Sequence, residues 1–336
     1  LKAVPYTNNL GDLYMTLGSL AAVESRKREE TMYQKKAEFA FKECLATLER
    51  ELPENHPSLM RALNNLAVVR QAGEDYAGAQ VLFERADSLQ REHLPPTHLR
   101  VAETQRNLAR NALLLKSPEN TTFEAVERAT LTGLALLDRL IEEGSETERL
   151  NFLERFELHS LPCATGNPEL IANVLIASKA RLLDTMLNAS SKRGRSDWKA
   201  VQKTLLPGTA FIDTCRYFTI EVTPREAYGA VLILPDGPPQ WIPLGPAEEL
   251  LVWLSSFRER LIWRSASLAG EAGAPPALKL KGILRALHRS FWKPIEAHLP
   301  SETQHIAYAP SGSLHFLPLS ALLDGEGQTL SKRYLQ

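Results

Sequence analysis

Residues 304–324 read QHIAYAPSGSLHFLPLSALLD. Ile306 to Ala309 is a short apolar run of the kind that forms a buried strand. Pro310-Ser311-Gly312-Ser313 is a turn signal, because proline and glycine punctuate regular structure. Leu314 to Leu319 is a second apolar run, interrupted by His315 and Pro318. A buried strand that ends in a sharp turn belongs in a layered domain with helices on its faces.

The sequence upstream has the same character. Ala210 to Phe218 and Tyr228 to Leu234 are rich in β-branched and aromatic residues and read as strands. Pro235-Asp236-Gly237-Pro238-Pro239 is a turn, and Gln240 to Leu244 is a short third strand. Asp197 to Leu205, Glu248 to Trp263 and Lys279 to His298 read as helices, with a Gly/Ala/Pro stretch at Ala269 to Pro276 between the last two. Ser190 to Ser196 is polar, basic and glycine-containing, and marks a boundary loop. A nucleic-acid patch is the sharper alternative there, but so few basic residues in a loop read as a solvated segment. The expected division is therefore residues 1–190 and residues 191–336.

The first half repeats itself. Leu52-Pro53 recurs as Leu94-Pro95, His56 as His98, Asn65-Leu66-Ala67 as Asn107-Leu108-Ala109, and Phe41 as Phe83, all at an offset of 42 residues. A period in this range signals stacked supersecondary units. Within one unit, Leu59, Ala62, Leu63, Leu66 and Ala67 keep helical spacing, with Pro57 in the first turn and Gly73 as a stop. Tyr76, Ala79, Leu82, Phe83 and Ala86 form a second stripe. Each unit is thus an antiparallel helix pair. An earlier unit begins near Asn8-Asn9-Leu10-Gly11, with a charged helix extension at Glu24 to Lys36. A third spans Thr97 to Glu142. Ser145-Glu146-Thr147-Glu148 is a capping box, and Pro168 opens a long helix through Leu187.

Composition excludes several function classes. Lysine plus arginine number 39 against 40 aspartates and glutamates, so no excess charge favours nucleic acid or an anionic membrane surface. No apolar run approaches the ~18–20 residues of a membrane span. The three cysteines, Cys44, Cys163 and Cys215, are far apart and odd in number, which suits a reducing compartment. The chain opens on Leu1 and shows no signal peptide, and it reads as a piece of a longer product.

The repeats resemble tetratricopeptide repeats in the 42-residue form of kinesin light chains, through the Asn-Asn-Leu-Ala of the first helix and Asp75, Tyr76 and Ala79 of the second. The second half resembles a caspase-like CHAT peptidase domain. Pro310, Gly312, Leu314, His315, Leu317 and Pro318 fall on that family's "P-x-G-x-L-H-x-L-P" turn. Lys179-Ala180-Arg181-Leu182-Leu183-Asp184 matches its preceding helix, Leu206 to Asp213 with Arg216-Tyr217 its opening strand, Tyr228 to Leu232 the following hairpin, and Phe291 to Ile295 the helix before the last strand. The blocks run in family order over residues 179–335.

What the resemblance implies is a helical-repeat solenoid followed by the N-terminal part of a caspase-like α/β domain. It also implies a cytoplasmic, bacterial setting. The solenoid would hold a protein or peptide, and a C-terminal catalytic segment or a second chain would supply the chemistry that cleaves a protein. A scaffold whose caspase-like part is degenerate is the alternative. The family's histidine ("T-H-G") and cysteine ("S-A-C-E") turns lie beyond a strand that Tyr334-Leu335 would begin, so no catalytic residue transfers.

Locally, Cys215 with His315 is the tempting dyad, since a cysteine peptidase needs a thiolate and an activating histidine. Cys215 sits on an apolar strand, where a cysteine behaves as a small hydrophobe, and His315 belongs to the turn. Cys44 lies among Phe41, Leu45 and Leu48 and reads as core; Cys163 lies in a proline-containing loop without a base. His288 with His298, and His305 with His315, are ten residues apart with no acidic or cysteine partner, which fails metal spacing. Ser311-Gly312-Ser313 lacks the flanks of a nucleophile elbow. No glycine-rich phosphate loop occurs, and no cofactor is implied.

Overall fold

In the computed structural model, residues 4–24, 26–186, 197–221, 223–268 and 278–334 are described. The boundary loop at 190–196 and the stretch 269–276 lie outside them. The fold is 66% helical with one small mixed sheet, an α plus α/β arrangement. Two compact units divide between Phe156 and Glu157, earlier than the boundary expected at 190/191. The reason is physical. The helices between these positions bury their apolar faces against the sheet, so they belong to the second unit.

The first unit is a succession of helix hairpins. Helix α1 (Val4–Val23) pairs with α2 (Lys27–Glu51), α3 (Pro57–Ala72) with α4 (Tyr76–His93), and α5 (Leu99–Leu114) with α6 (Glu119–Glu143). A further helix, α7 (Glu146–Phe156), follows the capping box. There Glu148 N–H donates to Ser145 Oγ at 3.3 Å while Ser145 N–H donates to Glu148 Oε2 at 2.8 Å.

The 42-residue offset recurs in geometry as well as in letters. His56 and His98 each cap a first helix, their Nδ1 atoms accepting from Ser58 N–H and Arg100 N–H at 3.1 Å. Glu74 and Lys116 both turn left-handed after the first helix, with φ of 65° and 54°. Beyond them Asp75 N–H reaches Arg70 O at 2.9 Å, and Ser117 N–H reaches Ala112 O at 3.0 Å. Phe41 and Phe83 are both buried.

Between hairpins, Phe41, Leu45 and Leu48 of α2 pack with Leu59, Leu63 and Leu66 of α3. A leucine buried this way contributes roughly 1.5–3 kcal/mol. Most of the stability of such amphipathic helices comes from packing of the apolar face, so neighbouring hairpins must hold one another. Gly11 stands where later units carry Ala67 and Ala109, because a Cβ there would lie 2.6 Å from the Phe41 ring.

The second unit is built on four strands, β1 (Thr209–Phe218), β2 (Glu226–Ile233), β3 (Gln240–Pro246) and β4 (His305–Ala309), in the order β3-β2-β1-β4. β1 is antiparallel to β2 and parallel to β4, and β2 is antiparallel to β3. Strand alternation feeds two cores. Ala210, Ile212, Tyr228, Ala230 and Leu232 face one side, toward α11 (Ala247–Leu268), α12 (Leu280–Leu287) and α13 (Lys293–Glu296). Cys215, Val231 and Ile233 face the other, with α8 (Ser160–Thr165), α9 (Pro168–Met186) and α10 (Trp198–Gln202).

Several expectations change. The helix expected over Lys279 to His298 is broken by a π-helical turn, His288–Trp292, between α12 and α13. Cys163 lies not in a loop but in α8, buried against the sheet. The run after the 310–313 turn forms 3₁₀ turns at Gly312–Phe316 and Leu319–Ala321, since Pro318 blocks a longer regular element. Tyr334 is not in a strand, and Leu335 lies outside the described residues.

Candidate functional site

The C-terminal end of β4, Ala309, lies opposite Asp213 in the middle of the parallel strand β1. Here three distant segments converge on one side chain. Lys179, from α9, forms an ion pair with Asp213 of β1. Its Nζ also donates to the carbonyls of Thr214 at 3.0 Å, Ala309 at 3.2 Å and Pro310 at 3.5 Å.

The turn is fastened by two more bonds. Thr214 Oγ1 donates to Ala309 O at 3.2 Å, and Ser311 Oγ donates to Thr214 O at 2.6 Å. Gly312 follows with φ of 55°, a left-handed conformation that glycine adopts without strain. The path of the chain out of β4 is thereby fixed by side chains from α9 and β1.

Electrostatics follow from burial. Asp213 is 2 % exposed. Burial pushes its carboxyl up, and the Lys179 ammonium draws it back down. His159, just before α8, pairs Nε2 with Ser178 Oγ at 3.0 Å. Burial, with the nearby Lys179 charge, lowers its imidazole to about 4, so it is neutral at neutral pH. Cys163 Sγ lies 3.7 Å from Cys215 Sγ, and burial pushes the Cys163 thiol up. Tyr217 beside them is pushed up to about 12 by the same cause.

No protein-family profile matches this chain. No curated protein matches it in sequence.

The sequence candidates are scattered. Cys215 is buried against Cys163, whereas His315 is exposed and turns its Nδ1 onto Gly312 O at 2.9 Å, within its own turn. Cys44 is buried inside the first unit. His298 pairs with Pro294 O at 2.9 Å, His305 is exposed at the start of β4, and His288 is buried in the π-helical turn. Among the described residues no three metal-ligating side chains come together.

The Ser311 hydroxyl donates to a backbone carbonyl, so its proton is already committed. The arrangement positions backbone, and its two thiols, Cys163 and Cys215, are buried. What letter-by-letter reading missed is the pairing. Lys179 and Asp213 stand in separate stretches of the sequence, 34 positions apart. The signal was present: one acid inside the apolar run AFIDTC, and one lysine inside LIASKARLL, each needing a buried partner.

Proposed function

We propose that this chain is a partner-binding helical-repeat region joined to the non-catalytic half of a caspase-like cysteine peptidase. The observation that supports it best is the convergence on Lys179. Three blocks that resemble the CHAT family separately, around Lys179, Asp213 and Pro310, meet where β4 ends against the middle of β1. In this reading they hold a platform, and a histidine and cysteine from outside residues 1–336 complete the dyad. β4 stands at the end of the strand order, where an edge strand offers backbone groups for pairing with a further strand.

The hairpin array is read as a tetratricopeptide-type solenoid that recruits a protein substrate or an activating partner. Support comes from the repeated caps at His56 and His98 and the repeated turns at Glu74 and Lys116. Among the described residues no helix is long and apolar enough to cross a membrane, consistent with action on a protein partner in the cytoplasm.

A second reading, a non-catalytic interaction scaffold, draws on the burial of all three cysteines. The test uses the whole product of the gene and an electrophilic peptide probe that labels activated thiols. Labelling at a cysteine outside residues 1–336, lost when that cysteine is changed to alanine, supports the peptidase. An absence of labelling, with the protein folded, supports the scaffold.

A further inference from the structure

A pocket of about 660 Å³ opens beside the π-helical turn, in the second unit. Arg285, Arg289 and Lys293 recur every four residues through α12, the turn and α13, and all three line it. Arg333 closes another side. Arg285, Arg289 and Lys293 form no ion pair among the described residues, and each is exposed.

The pocket also contains carboxylates, but two are already engaged. Glu296 Oε1 accepts from Arg333 Nη1 at 2.8 Å and from Tyr334 Oη at 3.2 Å. Asp324 Oδ1 accepts from Gln328 N–H at 2.8 Å, closing its own turn. Glu326 is exposed. Four cations therefore face three carboxylates across the pocket, and none of Arg285, Arg289 and Lys293 is held in an ion pair among the described residues.

A second, independent observation points to a ligand. His288 is 7 % exposed and lines the pocket, yet its Nε2 has no hydrogen-bond partner. The nearest acidic oxygen, Glu296 Oε2, is 3.9 Å away, beyond hydrogen-bond range. A buried polar atom left without a partner costs roughly 1–3 kcal/mol, and a bound ligand is one thing that would satisfy it. The π-helical turn that carries His288 is itself a rare device, most frequent at functional sites.

We propose that this pocket binds a phosphate group carried on a small polar molecule. Arginine forks match phosphate oxygens two at a time, and a lysine adds a point charge. His288 Nε2–H supplies a donor from the buried side, and the free lone pairs of Glu296 accept from a hydroxyl on the ligand body. The volume lies within the roughly 300–1,000 Å³ of small-molecule sites, larger than a bare phosphate needs. The site stands apart from the Lys179 cluster and does not depend on the peptidase reading.

Titration calorimetry on the 336-residue protein, at constant ionic strength, tests it with two probes: inorganic phosphate and a nucleoside 5′-monophosphate. Saturable one-to-one binding is expected, tighter for the monophosphate. Arg289→Ala and Lys293→Ala, both at exposed positions, should each weaken it at least about tenfold, the loss of a charged hydrogen bond. His288→Gln should shift affinity while Lys42→Ala, in the other unit, leaves it unchanged. Absence of saturable binding by either probe overturns the proposal, as does binding that survives the Arg289→Ala/Lys293→Ala double variant. Equal affinity for the two probes overturns the assignment of a ligand body.

Discussion

The side-chain amide of Asn107 donates to Asn64 Oδ1 at 3.2 Å, and one unit earlier Asn65 donates to Asn8 Oδ1 at 3.3 Å. The two bonds occupy equivalent positions, so the paired asparagines join the first helix of each hairpin to that of the next. Asn111, fully buried, extends this pattern by donating to Tyr76 O at 2.9 Å and Gln80 Oε1 at 2.8 Å.

The ladder sets a graded expectation. Asn107→Ala should cost about 0.5–1.5 kcal/mol, an ordinary net hydrogen bond. Asn111→Ala should cost more, about 1–3 kcal/mol, because it removes a fully buried amide that bonds Tyr76 O, Gln80 and Gln71 together. All five tryptophans lie beyond residue 156, so their fluorescence reports only the second unit. Urea unfolding followed by far-ultraviolet circular dichroism should shift, while the tryptophan midpoint stays put.

Two glycines should resist enlargement. A Cβ on Gly229 would stand 2.0 Å from Trp241 Cη2, and one on Gly11 would stand 2.6 Å from Phe41 Cε1. Each glycine-to-alanine change should cost about 1–3 kcal/mol through overpacking. Gly229→Ala should lower the tryptophan midpoint, and Gly11→Ala the helical one.

Lys179→Met should destabilise the second unit by about 3–5 kcal/mol, since it leaves the Asp213 carboxylate buried without a partner. Adding Asp213→Val should recover part of this. It should not recover all, because the carbonyls of Thr214, Ala309 and Pro310 also lose the Lys179 donor. A double-mutant cycle in urea measures the coupling.

These contacts show how far the residues alone reach. Repeats and strands were legible because burial imposes periods: His56 and His98, or Leu63 and Phe83, mark faces that any stacked helix must hide. β4, His305 to Ala309, was legible to within one residue as the apolar run Ile306 to Ala309, because Pro310 ends it. The π-helical turn was not legible. Lys279 to His298 keeps its apolar helical stripe on both sides of Pro294, which signals a break but not its kind, and the turn sets Phe291 and Trp292 in the core. Nor was the Cys163–Cys215 approach, which joins residues 52 positions apart through the docking of α8 on the sheet.

His159 makes stability depend on pH. Its folded value, about 4, lies below the ordinary 6.5, so the unfolded chain binds more protons between these limits. Stability is full above pH 6.5 and is lost as pH falls toward 4. The loss from this group is at most about 3 kcal/mol, since the side chain keeps a partly exposed edge. Asp213 works in the opposite sense, its raised carboxyl favouring the folded state at low pH. The difference between wild type and His159→Gln, taken from tryptophan-monitored urea curves at pH 4.5 and 7, isolates the histidine.

The cysteines should be silent in the native protein. Cys44, Cys163 and Cys215 are all buried, and burial raises the Cys44 and Cys163 thiols, so little thiolate is available. An aromatic disulfide reagent should titrate three thiols in denaturant and none at a comparable rate before it.

Proteolysis by the whole product of the gene is the most direct measurement of the proposed function. A protein retained by the repeat region is incubated with wild type, with each cysteine outside residues 1–336 changed to alanine, and with the Cys44→Ala, Cys163→Ala and Cys215→Ala variants. The expected result is cleavage that one outside cysteine abolishes and the three inside changes leave intact. Cleavage that survives the loss of every outside cysteine would contradict the proposal, and so would its disappearance in a folded Cys215→Ala protein.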